Sequence, residues 1–384
     1  MKKKLFVLGV IFTAILLIGS SIIPAYAETD EAGEVNARAY MLMDFNSGAE
    51  VCSDNALARY PIASMVKIMT LNLIFEEIDC GELSLDDEIS ISETASSMGG
   101  SQAFLDPHCT YKVEDLVKSI IVASANDSCV AMAEHLSGSI DAFVFKMNEK
   151  AKEWGMENTN FVNCTGLPSP NGYSCANDVA IMSRKLMCNP KFLEYAGIWM
   201  YDLVHPSGRV TTLTNTNKLS RFYDGCDGGK TGYTNEALSC LSATAKRGNT
   251  RLLCVVIGAP SSKIRNAEVT KLLNYGFANF ENRSIVKAGE IENGIPVIGG
   301  KQQTVRGSVS KDLSSFCNKR AEEFKPEIRY EYFEVKAPVK IDDVIGKVVV
   351  VLQNGEELCS EIVSLDDVEA LSYYDCVKNL IKSW

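Results

Sequence analysis

The sequence predicts an α+β fold followed by a small all-β domain. Apolar residues recur at helical spacing through the middle of the chain, and β-rich runs lie on both sides of that region. Beyond about Arg283 the pattern changes to short β-rich segments with turn signals. We therefore expect an antiparallel sheet flanked by helices, a mainly helical subdomain beside it, and a separate β domain.

The elements of the larger domain follow in chain order. ARAYMLMDFNSGAEVCS predicts a hairpin with its turn at Asn46-Ser47-Gly48. SMVKIMTLNLIFEEID begins at Ser64, is apolar almost all round, and predicts a buried helix. Further helices are predicted in VEDLVKSIIVAS, DSCVAMAEHLSG, AFVFKMNEKAKEWG and NDVAIMSRKLM. From about Asp227 the spacing is that of strands, with a turn at residues 246–249, and KIRNAEVTKLLNYGFANFEN predicts a closing helix.

The C-terminal part predicts two units. Residues 283–365 form the expected β domain, in which Asn354-Gly355 is a hairpin signal. Residues 366–384 predict an amphipathic helix whose apolar face carries Leu371, Tyr374, Val377, Ile381 and Trp384. Such a helix either packs on the β domain or lies in a membrane interface.

Composition and charge indicate a globular, exported protein. The chain has 384 residues, 46% apolar and 23% charged. Its net charge of −11 and the lack of a basic stripe exclude nucleic acid as the expected partner. Residues 1–27 have the plan of a signal peptide: Lys2–Lys4 precede a long apolar run ending in Ala25-Tyr26-Ala27. Cleavage after Ala27 would remove three lysines and take the charge from −11 to −14; an uncleaved membrane anchor is the alternative.

Thirteen cysteines raise the question of disulfides in an exported chain. Their number is odd, their spacing is irregular and no C-x-x-C occurs, so we assign no disulfide and no zinc site. Cys129, Cys240 and Cys254 lie inside apolar runs, as small buried hydrophobic residues do.

Ser64 and Lys67 form an S-x-x-K motif at the start of the predicted buried helix. Residues three apart share a helix face, so the hydroxyl and the amine can meet. Burial disfavours the ammonium form, and a neutral lysine can take the proton of a serine nucleophile. The motif alone is weak, because Ser308-Val309-Ser310-Lys311 also fits it, in the predicted β domain.

Two further triplets follow at wide spacing. Ser124-Ala125-Asn126 is an S-x-N at a break between two helices, where an N-cap is the structural alternative. Other S-x-N copies begin at Ser53, near a strand end, and at Ser169, in a loop rich in Pro and Gly. Lys230-Thr231-Gly232 opens the β-rich region; a cation and a hydroxyl there can hold a carboxylate, and a glycine lets a substrate approach. This order of motifs is that of serine acyltransferases that react with penicillin.

The chain resembles the low-molecular-weight penicillin-binding proteins that are D-alanyl-D-alanine carboxypeptidases. The likeness covers residues 38–282 closely and the remainder more loosely, and it runs through IASMVKIMT, ASSMGGSQAFL, ASANDSCVAMAEHLSGS, FVNCTGLPSPNGYS, GCDGGKTGYTNEA and RNAEVTKLLNYGFANF. It implies a β-lactamase/transpeptidase-like catalytic domain over residues 28–282 that needs no cofactor. It also implies peptidoglycan stem peptides ending in D-Ala-D-Ala as substrates, β-lactams as covalent inhibitors, and a place at the outer face of the cytoplasmic membrane or in the cell wall space.

The resemblance also implies roles for the motif residues. Ser64 attacks the carbonyl between the two D-alanines, and Lys67 is the general base. Ser124 relays a proton to the leaving D-alanine. Asn126 orients Lys67 and the substrate amide.

The third motif, Lys230-Thr231-Gly232, is the one expected to bind the substrate. By the same resemblance, Lys230 and Thr231 bind the free carboxylate, and Gly232 lets the substrate approach the strand. The N–H groups of Ser64 and Tyr233 form the oxyanion hole, at about 2.7–4 kcal/mol per donor.

At four positions the chain departs from the residues common in this family or leaves a role open. Thr216 stands where some relatives have an arginine that assists carboxylate binding, and Arg265 is a candidate second cation. Ala125 replaces a glycine, and Gly229 replaces a larger apolar residue. Neither of these last two changes removes a catalytic group.

Other functions fit the sequence less well. A Ser-His-Asp hydrolase would need a G-x-S-x-G elbow, which accompanies none of the three histidines, His108, His135 and His205. A class A β-lactamase would carry Ser-Asp-Asn and an E-x-x-L-N stretch between the second and third motifs, and this chain has neither there. A non-catalytic wall-binding protein would have lost one of the motifs. The sequence does not separate carboxypeptidase from D,D-endopeptidase activity.

Overall fold

The structure is a computed structural model that describes residues 33–291, 294–321, 325–352 and 355–382. The predicted signal peptide, residues 1–27, lies outside these ranges, and so do Asn354 and Trp384. Within the ranges, no helix combines the length and the apolar character needed to cross a membrane.

Strands and helices have the following bounds. Up to residue 279 they are β1 (Ala39–Asp44), β2 (Glu50–Asp54), a 3₁₀ turn (Ala63–Val66), α1 (Lys67–Asp79), β3 (Glu88–Ser90), α2 (Glu93–Ser96), β4 (Thr110–Lys112), α3 (Val113–Val122), α4 (Asn126–Ser137), α5 (Ile140–Glu153), α6 (Ala176–Met187), α7 (Pro190–Ala196), β5 (Met200–Val204), β6 (Val210–Thr214), α8 (Leu219–Phe222), β7 (Cys226–Thr234), β8 (Leu238–Arg247), β9 (Thr250–Ala259) and α9 (Ser262–Asn279). They continue with β10 (Phe280–Val286), β11 (Gly289–Glu290), β12 (Ile295–Ile298), β13 (Thr304–Val305), β14 (Gly307–Val309), β15 (Leu313–Asn318), β16 (Glu327–Tyr332), β17 (Val335–Lys336), β18 (Val344–Val351), β19 (Glu357–Ser364) and α10 (Tyr373–Lys382).

The main sheet has five antiparallel strands in the order β2-β1-β9-β8-β7. The sequence TRLLCVVIGA of β9 is apolar almost throughout because both faces of this strand are covered. On one face, α9 packs Val269, Leu272 and Leu273 against the sheet. On the other face lies the helical layer with α1 and α6. Strand β7 forms an edge of the sheet, so one side of its backbone is free to face the cleft.

The helical subdomain follows the predicted pattern. Helices α3 and α4 are separated by a break at residues 123–125, as expected. Gly138 ends α4 with a φ of 75°, a conformation that glycine adopts without strain. The next residue, Ser139, caps α5 by accepting a hydrogen bond from the amide of Ala142. These local signals explain why the boundary between the two helices is sharp.

Several local features differ from the sequence prediction, among them the short elements β3, α2, β4 and α8, which the sequence pattern did not predict. The predicted α-helix from Ser64 begins as a 3₁₀ turn, and regular α-helix starts only at Lys67. The hairpin of β5 and β6 and the short helix α7 lie in a segment to which the sequence pattern assigned no element. Each strand of that hairpin buries a single side chain, Leu203 in β5 and Leu213 in β6, so the apolar periodicity is weak.

The C-terminal part is all-β before its last helix, as predicted. Its larger sheet has the order β11-β14-β19-β18-β16, and its small cores are built mainly from valine and isoleucine. The expected boundary at residue 283 falls inside β10, where the side-chain amide of Asn282 donates to Asp44 at 2.6 Å. Helix α10 leaves Tyr374, Val377 and Ile381 exposed. All thirteen cysteines are free thiols.

Candidate active site

Ser64 lies in the 3₁₀ turn between the sheet and helix α1. Ser64 is half-buried, while its neighbours Ala63 and Met65 are buried in the core. Ala63 has a φ of 47°, a left-handed backbone conformation that is uncommon for a residue with a side chain. The turn is therefore held in place by its packing, and it presents the Ser64 hydroxyl at the cleft.

Lys67 is fully buried one turn further along. Its Nζ lies 3.1 Å from Ser64 Oγ and donates to the main-chain carbonyl of Thr165 at 2.5 Å. Burial lowers the pKa of Lys67, because the ammonium form loses its solvation. The spacing seen in the sequence thus becomes a hydroxyl and an amine at hydrogen-bonding distance, the geometry that a serine and its base require.

Ser124 lies in the break between α3 and α4 and is almost completely buried. Its φ is 63°, so the backbone is held in the left-handed region at a non-glycine residue. The hydroxyl of Ser124 accepts a hydrogen bond from Lys230 Nζ at 2.8 Å. The second and third motifs therefore meet directly, although 106 positions separate them in the chain.

Asn126 is the first residue of α4 and is also buried. Its amide nitrogen Nδ2 donates to the carbonyl of Gly99 at 2.7 Å, and its main-chain N–H donates to Ser101 at 2.7 Å. Its oxygen Oδ1 is buried and has no hydrogen-bond partner among the described residues. The resemblance implies that Asn126 orients Lys67, but in this structure no hydrogen bond joins Oδ1 to Lys67 Nζ, which contacts Ser64 and Thr165. Oδ1 is an open acceptor that a ligand N–H can satisfy.

The third motif lies on β7, at the edge of the sheet. Lys230 and Thr231 are buried, whereas the side chain of Tyr233 is 63% exposed. Burial lowers the pKa of Lys230 well below its ordinary value, and the neighbouring charges of Lys67 and Arg265 lower it further. The buried hydroxyl of Thr231 donates to Thr216 Oγ1 at 2.8 Å. The amine of Lys230 and two hydroxyls thus converge at the free side of this strand, where a carboxylate that favours the ammonium form can be bound.

Gly232 allows β7 to pass close to the nucleophile. A Cβ atom at this position would lie 2.6 Å from the carbonyl oxygen of Ile62 and 3.2 Å from the main-chain nitrogen of Ser64. Gly166 makes a similar approach on the other side, where a Cβ would lie 2.0 Å from the carbonyl oxygen of Ala63. Two glycines therefore hold the 3₁₀ turn between β7 and the loop after Cys164.

The sequence analysis missed one contributor and left two open. The carbonyl of Thr165, which binds Lys67, was not predicted; only its place in the matched stretch FVNCTGLPSPNGYS pointed to it. Thr216 does belong to the site, through its contact with Thr231. Arg265 is buried on α9, donates to the carbonyl of Cys240 at 3.4 Å, and acts on Lys230 by charge. Burial lowers the pKa of Arg265 to about 10.

Two of the competing motif copies lie away from the candidate site. Ser308 is in β14 of the C-terminal sheet, and Ser53 is in β2, at the opposite edge of the main sheet from β7. His205 is buried between Tyr111 and Thr211, at 2.7 and 2.8 Å. Among the residues that the structure describes, no group of three metal-ligating side chains could hold an ion.

Comparisons with known proteins show which family the chain belongs to. The family model described as D-alanyl-D-alanine carboxypeptidase matches residues 26–261, and that of the penicillin-binding protein 5 C-terminal domain matches residues 280–370. The D-alanyl-D-alanine carboxypeptidase DacF of Bacillus subtilis (strain 168) is 38% identical over 351 residues, which cover 91% of this chain and 90% of that protein. The enzyme DacA of Escherichia coli (strain K12) is 31% identical, with 82% and 79% covered.

Solved structures support the same family and the same fold. Penicillin-binding protein 5 from Haemophilus influenzae is 32% identical, with a TM-score of 0.68 and with 89% of this chain and 100% of that chain covered. A peptidoglycan synthesis regulatory factor (PBP3) from Streptococcus pneumoniae is 26% identical, with a TM-score of 0.72 and with 88% and 100% covered. These findings confirm the predicted fold and family. The chain belongs to the D-alanyl-D-alanine carboxypeptidase family of penicillin-binding proteins, and it is a serine-type enzyme of that kind.

Proposed function

We propose that this enzyme removes the terminal D-alanine from peptidoglycan stem peptides through an acyl-enzyme on Ser64. One observation carries the assignment of the nucleophile: Ser64 Oγ lies 3.1 Å from the Nζ of a fully buried lysine. The other two S-x-x-K stretches in the chain begin at Ser284, on β10, and at Ser308, on a strand of the C-terminal sheet.

Acylation begins with proton transfer from Ser64. Because burial lowers the pKa of Lys67, a neutral amine is available to accept that proton while Oγ attacks the carbonyl between the two D-alanines. The developing oxyanion is bound by the main-chain N–H groups of Ser64 and Tyr233, which the close approach of Gly232 holds near each other. The C–N bond then breaks, and an ester on Ser64 remains.

Ser124 carries the proton to the leaving group. In this proposal the ammonium of Lys67 passes its proton through the Ser124 hydroxyl to the departing nitrogen, so D-alanine leaves as the amine and Lys67 is neutral again. Lys230 holds that hydroxyl at 2.8 Å. The open Oδ1 of Asn126 accepts the N–H of the substrate amide.

The free carboxylate of the substrate binds at Lys230. A carboxylate beside this buried lysine favours its ammonium form, and the hydroxyls of Thr231 and Thr216 add two donors. After D-alanine leaves, water attacks the ester with Lys67 again as the base, and Ser64 is released with its proton. A β-lactam occupies the same site, since its reactive amide and its carboxylate match these two positions.

The test is release of D-alanine from a muropeptide with a pentapeptide stem by the chain from residue 28 onward. We expect one D-alanine per stem from the unchanged protein and from the matched control Ser308→Ala, and none from Ser64→Ala. Mass spectrometry should find a penicillin adduct on the first two proteins only. A normal yield of adduct on folded Ser64→Ala protein would refute the assignment.

We further propose that the enzyme is exported and lies against the membrane surface. The plan of residues 1–27 supports a signal peptide, and N-terminal sequencing of the mature protein should begin at Glu28. Helix α10 exposes Tyr374, Val377 and Ile381, at 73%, 40% and 69%, which fits an interfacial helix.

Vesicles of anionic phospholipid test this second proposal. The unchanged protein should sediment with them, whereas Val377→Asp with Ile381→Asp should not, because two carboxylates on the apolar face oppose insertion. The control Lys378→Gln removes one cation and should reduce sedimentation only slightly. Equal sedimentation of the Asp variant would contradict an interfacial role for α10.

A further inference from the structure

The carbonyl that binds Lys67 belongs to a peptide group whose N–H is bound by Asn163. The carbonyl is that of Thr165, and it accepts a hydrogen bond from Lys67 Nζ at 2.5 Å. The N–H of the same peptide group is that of Gly166, and it donates to Asn163 Oδ1 at 2.6 Å. In a trans peptide the C=O and the N–H point in opposite directions, so an acceptor for the N–H also fixes the direction of the C=O. The peptide group between residues 165 and 166 thus connects Asn163 with Lys67.

The side chain of Asn163 is itself held in place by the loop. Its Nδ2 donates to the carbonyl of Leu167 at 3.0 Å, and its Oδ1 also accepts the N–H of Thr165 at 3.1 Å. From the opposite side, Thr70 of α1 donates to the carbonyl of Cys164 at 2.7 Å. Residues 163–167 are therefore held between α1 and the amide of Asn163, which is half-buried.

The backbone alone does not fix this peptide group. Gly166 has a φ of 81°, and glycine changes backbone conformation more readily than residues that carry a side chain. Rotation of the peptide group would turn the carbonyl of Thr165 away from Lys67 and bring an N–H toward it. A carbonyl stabilises the ammonium that Lys67 becomes when it takes the proton of Ser64, whereas an N–H in its place opposes that charge.

We infer that Asn163 is a positioning residue for the general base: it holds the peptide group after Thr165 so that the carbonyl binds Lys67 while the amine acts on Ser64. The inference rests on the proposed function, because it takes Lys67 as the base. Asn163 acts through the peptide group and not on the reacting atoms. Its replacement should therefore change the basicity of Lys67.

The other influences on Lys67 do not depend on the side chain of Asn163. Burial is the largest of them, and it lowers the pKa of Lys67. The titratable groups that face Lys67 come from α4, from the loop and from β7, and they are Asp127, Cys129, Cys164 and Lys230. Because Asn163 carries no charge, its replacement by alanine should alter the pKa of Lys67 through the carbonyl of Thr165.

The test is the pH dependence of the second-order rate constant for acylation by a fluorescent penicillin, measured with the full chain. A hydrogen bond to a charged group contributes a factor of about ten or more, which corresponds to about one pKa unit. In Asn163→Ala the pKa of Lys67 should therefore fall by about one unit, and the rate on the alkaline plateau should fall about tenfold. The acid limb of the profile should move to lower pH, because a weaker base stays neutral to lower pH.

Two further variants separate positioning from loss of stability. Asn163→Asp keeps an acceptor for the N–H of Gly166 and adds a negative charge, so it should retain the plateau rate and move the acid limb to higher pH. Asn148→Ala is the matched control, because Asn148 binds both the N–H and the C=O of Phe161 at 2.8 Å, in the same stretch of chain. The control should lower Tm and leave the acid limb where it is in the unchanged protein.

The position of the acid limb decides the outcome. An acid limb in Asn163→Ala at the pH of the unchanged protein, or an unchanged plateau rate, would overturn the inference while leaving the acyl-enzyme on Ser64 intact. If Asn163→Ala does not fold, Asn163→Asp decides alone, and an acid limb that fails to rise overturns the inference. Acylation of Lys67→Arg at the normal rate would instead overturn the proposed role of the base, and the inference with it.

Discussion

Replacing Gly232 with alanine tests how closely β7 must approach the nucleophile. The new Cβ would lie 2.6 Å from the carbonyl oxygen of Ile62, whereas ordinary contact begins at 3.4 Å. The strand and the 3₁₀ turn must therefore separate by about 0.8 Å. None of the three atoms in conflict with this Cβ belongs to a flexible side chain: they are the carbonyl oxygen of Ile62, the main-chain nitrogen of Ser64 and the Cβ of Ala63.

The expected loss of acylation rate depends on the size of this separation. An oxyanion donor must lie within 2.7–3.1 Å of the oxygen, a window of only about 0.4 Å. A separation of twice that width removes the contribution of the Ser64 N–H, which is worth about 2.7–4 kcal/mol, or a factor of about 10²–10³ in rate. We expect Gly232→Ala to slow both acylation by penicillin and D-alanine release by that factor.

The assay is the second-order rate constant of acylation, measured with a fluorescent penicillin, beside a thermal unfolding curve. Gly197→Ala is the matched control, because Gly197 ends helix α7 with an ordinary φ of −75° and a Cβ there would meet nothing closer than 3.4 Å. The control should acylate like the unchanged protein. Acylation of folded Gly232→Ala at the rate of the control would refute the close-approach argument.

Three further outcomes follow from the same geometry. Burial lowers the pKa of Lys67 below the ordinary lysine value, so the fraction of neutral amine increases as pH rises through that pKa. Acylation by penicillin should therefore slow as the pH is lowered. Lys67→Arg should abolish acylation without lowering Tm much. Asp127 is buried and accepts hydrogen bonds from the amides of Ala103, Leu105 and Ser128, so Asp127→Asn should lower the free energy of unfolding by about 1.5–3 kcal/mol in denaturant titrations. Ser124→Gly relieves a φ of 63° and should stabilise the fold by about 1 kcal/mol while slowing acylation; a variant that is both less stable and fully active would contradict both roles of Ser124.

The elements that sequence analysis found are those whose periodicity is set by burial. The central strand β9 and helix α1 are apolar almost throughout because the core surrounds them, and α4 ends at Gly138, a strong capping signal. The β5–β6 hairpin was missed because it buries one residue per strand, so the remaining positions carry no pattern. Its position is determined by contacts with α3, which a local pattern does not record.

The site was predictable to the extent that side chains carry it. The roles proposed for Ser64, Ser124 and Lys230 rest on residue type, spacing and order, and the structure places Ser64 against Lys67 and Ser124 against Lys230 at hydrogen-bonding distance. The carbonyl of Thr165 could not be identified, because every residue has a carbonyl and only the tertiary fold selects one. The 3₁₀ turn at Ser64 was missed for a related reason: it follows from two close glycine contacts, at Gly166 and Gly232, that join distant parts of the chain.

Lys67 and Lys230 are both buried, and burial bears on the role proposed for each: base for Lys67 and carboxylate anchor for Lys230. Burial lowers the pKa of Lys67 and of Lys230, and the charge of Lys67 lowers that of Lys230 further. A substrate carboxylate beside Lys230 reverses the effect there, since an opposite charge favours the ammonium form. Lys67 contacts a hydroxyl and a carbonyl, those of Ser64 and Thr165, so burial remains the largest influence on its pKa. A peptide without a free carboxylate would offer Lys230 no opposite charge, and the substrate would lose this anchor. The expected preference for a free carboxyl terminus therefore follows from the same burial that makes Lys67 a base.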